Sequence, residues 1–223
     1  MRIEDWLGKA SIFAGLGRQE LEELAALASL KTFAQKETIF LEDDPGDALY
    51  ILRTGAVKIF RVSADGREQI LAVLHPGELF GEMAVLQGAT RSAAAQALVE
   101  STVLVFPQAE FRRFLAQQPQ GALQCIAVLC SRLRRANRSL ELLLWGNVRQ
   151  RLYAALGEMA DKEDEIELTH QDLGALVGSS RETITRILLE LQAFGCVSAG
   201  RGWLQITDWD KVREVLLGEE FEN

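Results

Sequence analysis

Two arginines, a glutamate and two threonines stand within eight residues, in the run SSRETITR from Ser179 to Arg186. At about 100° per residue, Arg181, Glu182, Thr185 and Arg186 share one side of a helix while Ile184, Ile187, Leu188 and Leu191 share the other. Two guanidiniums and a carboxylate near a helix N-terminus are suited to reading base-pair edges. Arginine donates twice to guanine O6 and N7, and glutamate accepts from the amino group of cytosine. The plain alternative is an exposed polar face with no special use, which most surface helices carry. The cluster is unexpected here, because the 223-residue chain holds 24 Lys+Arg against 32 Asp+Glu, a formal net charge of −8.

A second group of chemistry-bearing residues lies in PGELFGEMAVLQGATRSAAAQA. A turn at Gly81, Glu82, Met83 and Ala84 offers backbone N–H groups, and Arg91 with Ser92 and Ala93 could complete an anion site. A carboxylate in such a pocket suits a sugar hydroxyl, which donates to it. The alternative is that Glu82 and Arg91 pair with each other inside the fold, which would look the same in sequence. Other chemistry is poorly provided for. His75 precedes Pro76-Gly77 at a strand end, and His170 opens a helix where a capping or phosphate role fits. Cys125, Cys130 and Cys196 have no metal-ligand spacing and read as reduced core thiols, so no metal site is expected. With no nucleophile elbow and no Walker loop, a non-enzyme is expected.

The elements that must position these groups follow from pattern. RQELEELAALAS is helical, with Leu21, Leu24, Ala25 and Ala28 on one face. From Lys31 to Phe106 the texture is short β runs (ALYILRTGAVKIF, QILAVL, ALVESTVLVF) between the turn formers EDDPGD, RTG, SADG and HPGE, which reads as a roll, barrel or sandwich. Pro107 opens a helical region. Ile126, Leu129, Leu133, Ala136, Leu140 and Leu143 recur at alternating spacings of three and four, the seam of a helix packed along a like partner. Six arginines (Arg132, Arg134, Arg135, Arg138, Arg149, Arg151) against one acid, Glu141, make residues 132–151 a basic segment. Gly146-Asn147 interrupts the helix, VRQRLYAALGEMA begins another, and DKEDE is a solvated loop.

Thr169 with Asp172 fits a capping box for a helix through Leu173, Leu176 and Val177 that Gly178 ends, and Ser179 or Ser180 caps the next. CVSAGRGWLQI then makes a hairpin around Arg201, placed to touch a phosphate, so the whole is a winged helix-turn-helix. No apolar run approaches the ~20 residues that cross a bilayer. The N-terminus carries no secretion signal, so a cytoplasmic protein without membrane attachment is expected.

In this order of elements the chain resembles the Crp/Fnr family of bacterial transcription regulators over nearly its whole length. SSRETITR is similar to the recognition helix of the cyclic-AMP receptor branch, which implies that Arg181, Glu182 and Arg186 read the half-site. Thr169, His170, Ser180, Thr185 and Arg201, at the helix starts, on the polar face and in the hairpin, are the further DNA contacts expected. The Fnr branch would place serine before the last arginine and lack the first, so Arg181 and Thr185 point to a TGTGA-like inverted repeat. No cysteine stands near the N-terminus for the iron–sulfur cluster of Fnr. The 81–93 stretch resembles the phosphate cassette of cyclic-nucleotide domains, which implies Glu82 at the ribose 2′-hydroxyl and Arg91 and Ser92 at the cyclic phosphate. Where the cyclic-AMP receptor offers a threonine and a serine to adenine, Ala136 and Asn137 stand here, and only Asn137 can hydrogen-bond a base. The fold expected is α+β: a β-roll effector domain over 1–118, a dimerisation helix over 119–146, and a winged helix-turn-helix over 147–223. The partners implied are double-stranded palindromic DNA, a second copy, a small effector such as cyclic AMP, and RNA polymerase. Haem or gas sensing within the family, and a cyclic-nucleotide module not acting on DNA, stay open as alternatives.

Overall fold

A computed structural model describes residues 2–8, 10, 13, 15–160, 166–200 and 202–218. It divides into two compact units, residues 1–61 with 73–134 and residues 62–72 with 135–223.

Along the chain α1 (Ile3–Leu7) and α2 (Arg18–Leu27) precede the strands β1 (Ser29–Phe33), β2 (Thr38–Phe40), β3 (Ala48–Thr54), β4 (Val57–Val62), β5 (Glu68–Leu74) and β6 (Leu79–Phe80). The short helix α3 (Glu82–Gln87), strands β7 (Ala94–Ala97) and β8 (Ser101–Pro107), and helices α4 (Gln108–Gln117) and α5 (Pro119–Trp145) follow. The strands form two four-stranded sheets, ordered β1-β8-β3-β6 and β2-β7-β4-β5. β3 registers antiparallel on β8 from Ala48 opposite Pro107 to Leu52 opposite Val103, and Ala48 through Leu52 are all buried. A strand covered on both faces loses the polar–apolar alternation, which is why ALYIL is a continuous apolar run. The run 97–106 is not one strand as its texture suggests: β7 stops at Ala97 and β8 restarts at Ser101, with the one Ser101 hydroxyl hydrogen shared between the Ala56 and Val99 carbonyls at the break. The helices close the core with Leu7, Leu24, Phe111, Phe114 and Cys125 packed on Leu49, Ile51, Leu104 and Phe106. Each such large side chain contributes roughly 1.5–3 kcal/mol on burial. Burial also pushes the Cys125 thiol up to about 11, as a core thiol in apolar surroundings should be.

α5 is 27 residues long, about 40 Å. Only Gly121 and Cys125 along it are buried. Ile126, Leu133, Leu140 and Leu143 are each more than half exposed, so the apolar seam is left uncovered by its own chain.

In the second unit α6 (Val148–Ala160), α7 (His170–Val177), α8 (Arg181–Ala193), the strands β9 (Val197–Gly200) and β10 (Trp203–Ile206), and α9 (Trp209–Leu217) enclose Leu152, Leu156, Leu173, Ile184, Leu188, Leu191, Leu204 and Leu216. β9 and β10 pair antiparallel, and Ile166 bridges to Leu204 on the other edge of β10. The capping signals act as expected. The Thr169 hydroxyl accepts from the Asp172 amide at 3.1 Å, and Asp172 accepts from the Thr169 amide at 3.2 Å. Gly178 takes the left-handed φ of 67° that ends α7, and the Ser180 hydroxyl accepts from the Thr183 amide at 3.2 Å to start α8. The acidic loop DKEDE and the wing residue Arg201 lie outside the described residues. Among those described, no helix is long and apolar enough to cross a membrane.

Candidate functional site

One concavity lies in the first unit. Phe40, Ile59, Phe80, Gly81, Glu82, Met83, Ala84, Arg91, Ser92, Ala93 and Arg132 line a cleft of about 390 Å³, open to solvent. The seven residues expected between 81 and 93 all lie on its wall, whereas Ala136 and Asn137 are exposed on α5 and do not line it.

Arg91 is 2% exposed. Its Nη1 donates to the Gly81 carbonyl at 2.9 Å, and its Nη2 donates to the Ala48 carbonyl at 2.6 Å and more weakly to Asp47 at 3.4 Å. The guanidinium carbon lies 4.4 Å from the Phe40 ring centre and 5.5 Å from that of Tyr50. Two carbonyl dipoles, two aromatic faces and a long bond to a well-exposed carboxylate are what neutralise this charge. Nε, also buried, has no hydrogen-bond partner. A guanidinium cannot shed its proton, and burying it without a close counter-ion costs several kcal/mol. An anion entering the cleft therefore meets a preformed and under-compensated cation.

Glu82 and Arg91 do not pair, so the bland alternative fails in the form the sequence suggests. The buried Glu82 carboxylate instead accepts from Arg132 Nη1 at 2.8 Å, and Arg132 also donates to the Leu79 carbonyl. Arg132 was not among the expected site residues, although a signal existed: it stands one turn before Ala136, on the same face of α5. Ser92 is exposed, its hydroxyl 3.9 Å from the Met83 sulfur. Gly81 has φ of 75°, and a Cβ there would come within 2.6 Å of Arg91 Nη1. Gly81→Ala is expected to cost about 1–2 kcal/mol from left-handed strain alone and to dislodge Arg91, a loss that thermal unfolding will show as a lowered Tm.

The second unit carries the polar face of α8. Arg181, Glu182 and Arg186 are exposed, and no carboxylate among the described residues bonds either arginine. Glu182's own backbone amide and the Ser180 hydroxyl hold its carboxyl below the ordinary carboxylate range, so it is an acceptor at neutral pH. Thr169 and Ser180 are exposed at the two helix starts, while His170 and Thr185 are half-buried and bonded to each other.

The basic segment 132–151 is a correction to the charge reading. Arg149 donates to Glu190 at 2.6 Å and to the Val215 carbonyl at 3.0 Å. Arg151 donates to the carbonyls of Val177 at 2.7 Å and Gly146 at 3.1 Å. Arg135 lies 3.8 Å from Glu158. With Arg132 on Glu82, four of the six named arginines are occupied within the fold, so the segment offers a polyanion fewer free cations than its charge count.

Comparison with known proteins covers both sites. The family profile described as a cyclic nucleotide-binding domain matches residues 30–118, and that described as a Crp-like helix-turn-helix domain matches residues 150–215. The cyclic AMP receptor protein of Thermus thermophilus is 33% identical over 209 residues, 93% of this chain and 97% of that protein. The CRP-like cAMP-activated global transcriptional regulator of Mycobacterium tuberculosis is 30% identical over 213 residues, 92% of each chain. Among solved structures, FixK2 from Bradyrhizobium japonicum superposes with a TM-score of 0.76 at 26% identity, over 84% of this chain and 96% of that one.

Proposed function

Since the chain belongs to the Crp/Fnr family of DNA-binding transcription regulators and carries a cyclic nucleotide-binding domain, we propose that it acts as a homodimer on a TGTGA-like inverted repeat, under control of a cyclic nucleotide. The observation that carries the DNA half is the α8 face, where Arg181 and Arg186 stand exposed with no carboxylate partner among the described residues, whereas Arg132, Arg149 and Arg151 are bonded into the fold. Each guanidinium suits a guanine and the ionised Glu182 suits a cytosine. Ser180 and Thr169, at exposed helix starts, suit phosphate contacts. We assign Arg201 to the wing's phosphate contact on its place in the sequence alone.

The effector half rests on Arg91. A singly charged phosphodiester would supply the counter-ion that the guanidinium lacks, with the Ser92 hydroxyl exposed beside it, and a ribose hydroxyl would donate to Glu82. Cyclic AMP is the effector we favour, because the Thermus thermophilus and Mycobacterium tuberculosis relatives are named for it. Asn137 would meet the base once a second copy brings α5 against its mate. The effector acts by binding one arrangement of the two α5 helices better than the other, and it can shift the balance only by that difference in affinity. The dimer then sets two α8 helices about 34 Å apart, one turn of DNA. RNA polymerase is the further partner we propose.

Arg181→Ala tests the DNA half. It is expected to weaken binding to a TGTGA palindrome by about 1–3 kcal/mol for each half-site and to relax selection at one base position, as read by competition gel shifts against single-base variants of the operator. Weaker binding with selection unchanged would make Arg181 a phosphate contact and overturn its assigned role.

A further inference from the structure

We infer that Thr185 reads the methyl group of a thymine, and that His170 is the residue that sets it to do so. The inference rests on α8 lying in the major groove, and it assigns a base preference to a side chain whose hydroxyl would ordinarily be taken for the reading group.

The Thr185 hydroxyl oxygen has two partners in its own chain. It donates to the Arg181 carbonyl, one turn back on α8, at 2.9 Å. It also lies 2.9 Å from His170 Nδ1, at the start of α7. A hydroxyl has one hydrogen. If that hydrogen goes to the carbonyl, the imidazole bond forms only with the proton on Nδ1, so His170 is the donor and Thr185 the acceptor. Both bonds are then satisfied together, one across helices and one along α8.

Two consequences follow for recognition. The hydroxyl is spent as a donor, so it has no hydrogen for a purine N7 or a thymine O4. The torsion of a β-branched side chain is also fixed once its oxygen is tied at two points, and with it the direction of the methyl group. The methyl is the part of Thr185 with no bond to the fold. Thr185 stands on the same side of α8 as Arg181, Glu182 and Arg186, and the C5-methyl of thymine is the one apolar feature that the base pairs present in the major groove.

His170 is thus a positioning residue for base selection. It can serve in this way without touching a base, by donating Nδ1–H to a neighbour that does.

The test replaces each thymine of a TGTGA palindrome by deoxyuridine, one position at a time in both half-sites. This removes only a methyl group. Wild-type protein should lose about fourfold in affinity per half-site at one position and almost nothing at the others, the value of burying one methyl-sized group. Thr185→Val keeps the methyl and should keep that uridine effect, while Thr185→Ser keeps the hydroxyl and should abolish it. His170→Ala should flatten the effect, and His170→Asn, whose amide N–H can stand near the place of Nδ1–H, should restore it. A histidine that merely stabilised the unit would change overall affinity and leave the uridine effect in place. If Thr185→Ser retains the effect, or no position shows one while wild-type protein binds the operator specifically, the inference is overturned and the DNA reading stands. If wild-type protein binds no such palindrome, both fall.

Discussion

A chain carrying Leu133→Asp and Leu140→Asp is expected to sediment as a monomer and to lose about a thousandfold or more of its affinity for a palindromic operator, down to the range of non-specific binding. Both leucines are more than half exposed in a single chain, at 62% and 54%. They belong to a stripe on α5 with Ile126 and Leu143, and that stripe has the heptad spacing of a two-helix seam. In one chain the aspartates are solvated, so neither unit should lose its own core. In a parallel pair of helices the same changes put four carboxylates into an apolar strip where each has a like charge for a neighbour, a cost that the remaining contacts cannot offset. A monomer presents one α8 to one half-site and forfeits the second half-site held at a fixed spacing. Sedimentation and operator binding should therefore fail together while thermal unfolding of the monomer stays cooperative. A double variant that remains dimeric would show that the seam is covered by something other than its twin.

What was legible in the sequence, and what was not, divides by the distance over which residues must cooperate. Thr169 finds its partner three residues away in Asp172, and Ser180 finds Thr183 at the same spacing. Gly178 acts through its own φ. These signals are local, so the starts and stops of α7 and α8 were readable one residue at a time, and the polar front of α8 followed from the helical period. The exposed apolar stripe of α5 was readable for the same reason. The short helices α1, α3 and α9 went unassigned because five, six and nine residues hold too few periods for the pattern to rise above its surroundings.

The 81–93 wall of the pocket was legible in membership but not in bonding. Glu82 and Arg91, nine residues apart and of opposite charge, invited a pair. Glu82's partner is Arg132, fifty residues on, and Arg91 is held largely by the carbonyls of Gly81 and Ala48. Every residue except proline offers the same carbonyl and N–H, so a side chain anchored on backbone leaves no trace in composition or spacing. The basic segment misled for a related reason. Charge counts give the number of cations but not whether carbonyls and carboxylates of the same chain have already engaged them, as they have for Arg149 and Arg151.

Removing the Arg91 charge gives the other large effect: Arg91→Met is expected to abolish the heat of cyclic AMP binding, a loss of at least about a hundredfold, while the first unit stays folded. The two outcomes separate because the guanidinium does different things for fold and ligand. For the fold it is a buried cation whose one carboxylate, on Asp47, is 80% exposed and keeps its own water if the arginine goes. Methionine can fill the space between Phe40 and Tyr50 with a polarizable side chain. It leaves the Ala48 and Gly81 carbonyls without these donors, at about 1–3 kcal/mol each, against the several kcal/mol of charge burial that it relieves. For the ligand the guanidinium is the counter-charge of a phosphodiester in a site of low dielectric, and nothing else on the cleft wall replaces it, since Arg132 is already bonded to Glu82. Arg91→Lys should fall between the two, keeping the charge but losing the planar fork that reaches two carbonyls at once. Wild-type heats from Arg91→Met would place the anion elsewhere and remove the cleft as the effector site. Loss of heat in both variants with an unchanged Tm would assign Arg91 to the ligand rather than to the roll.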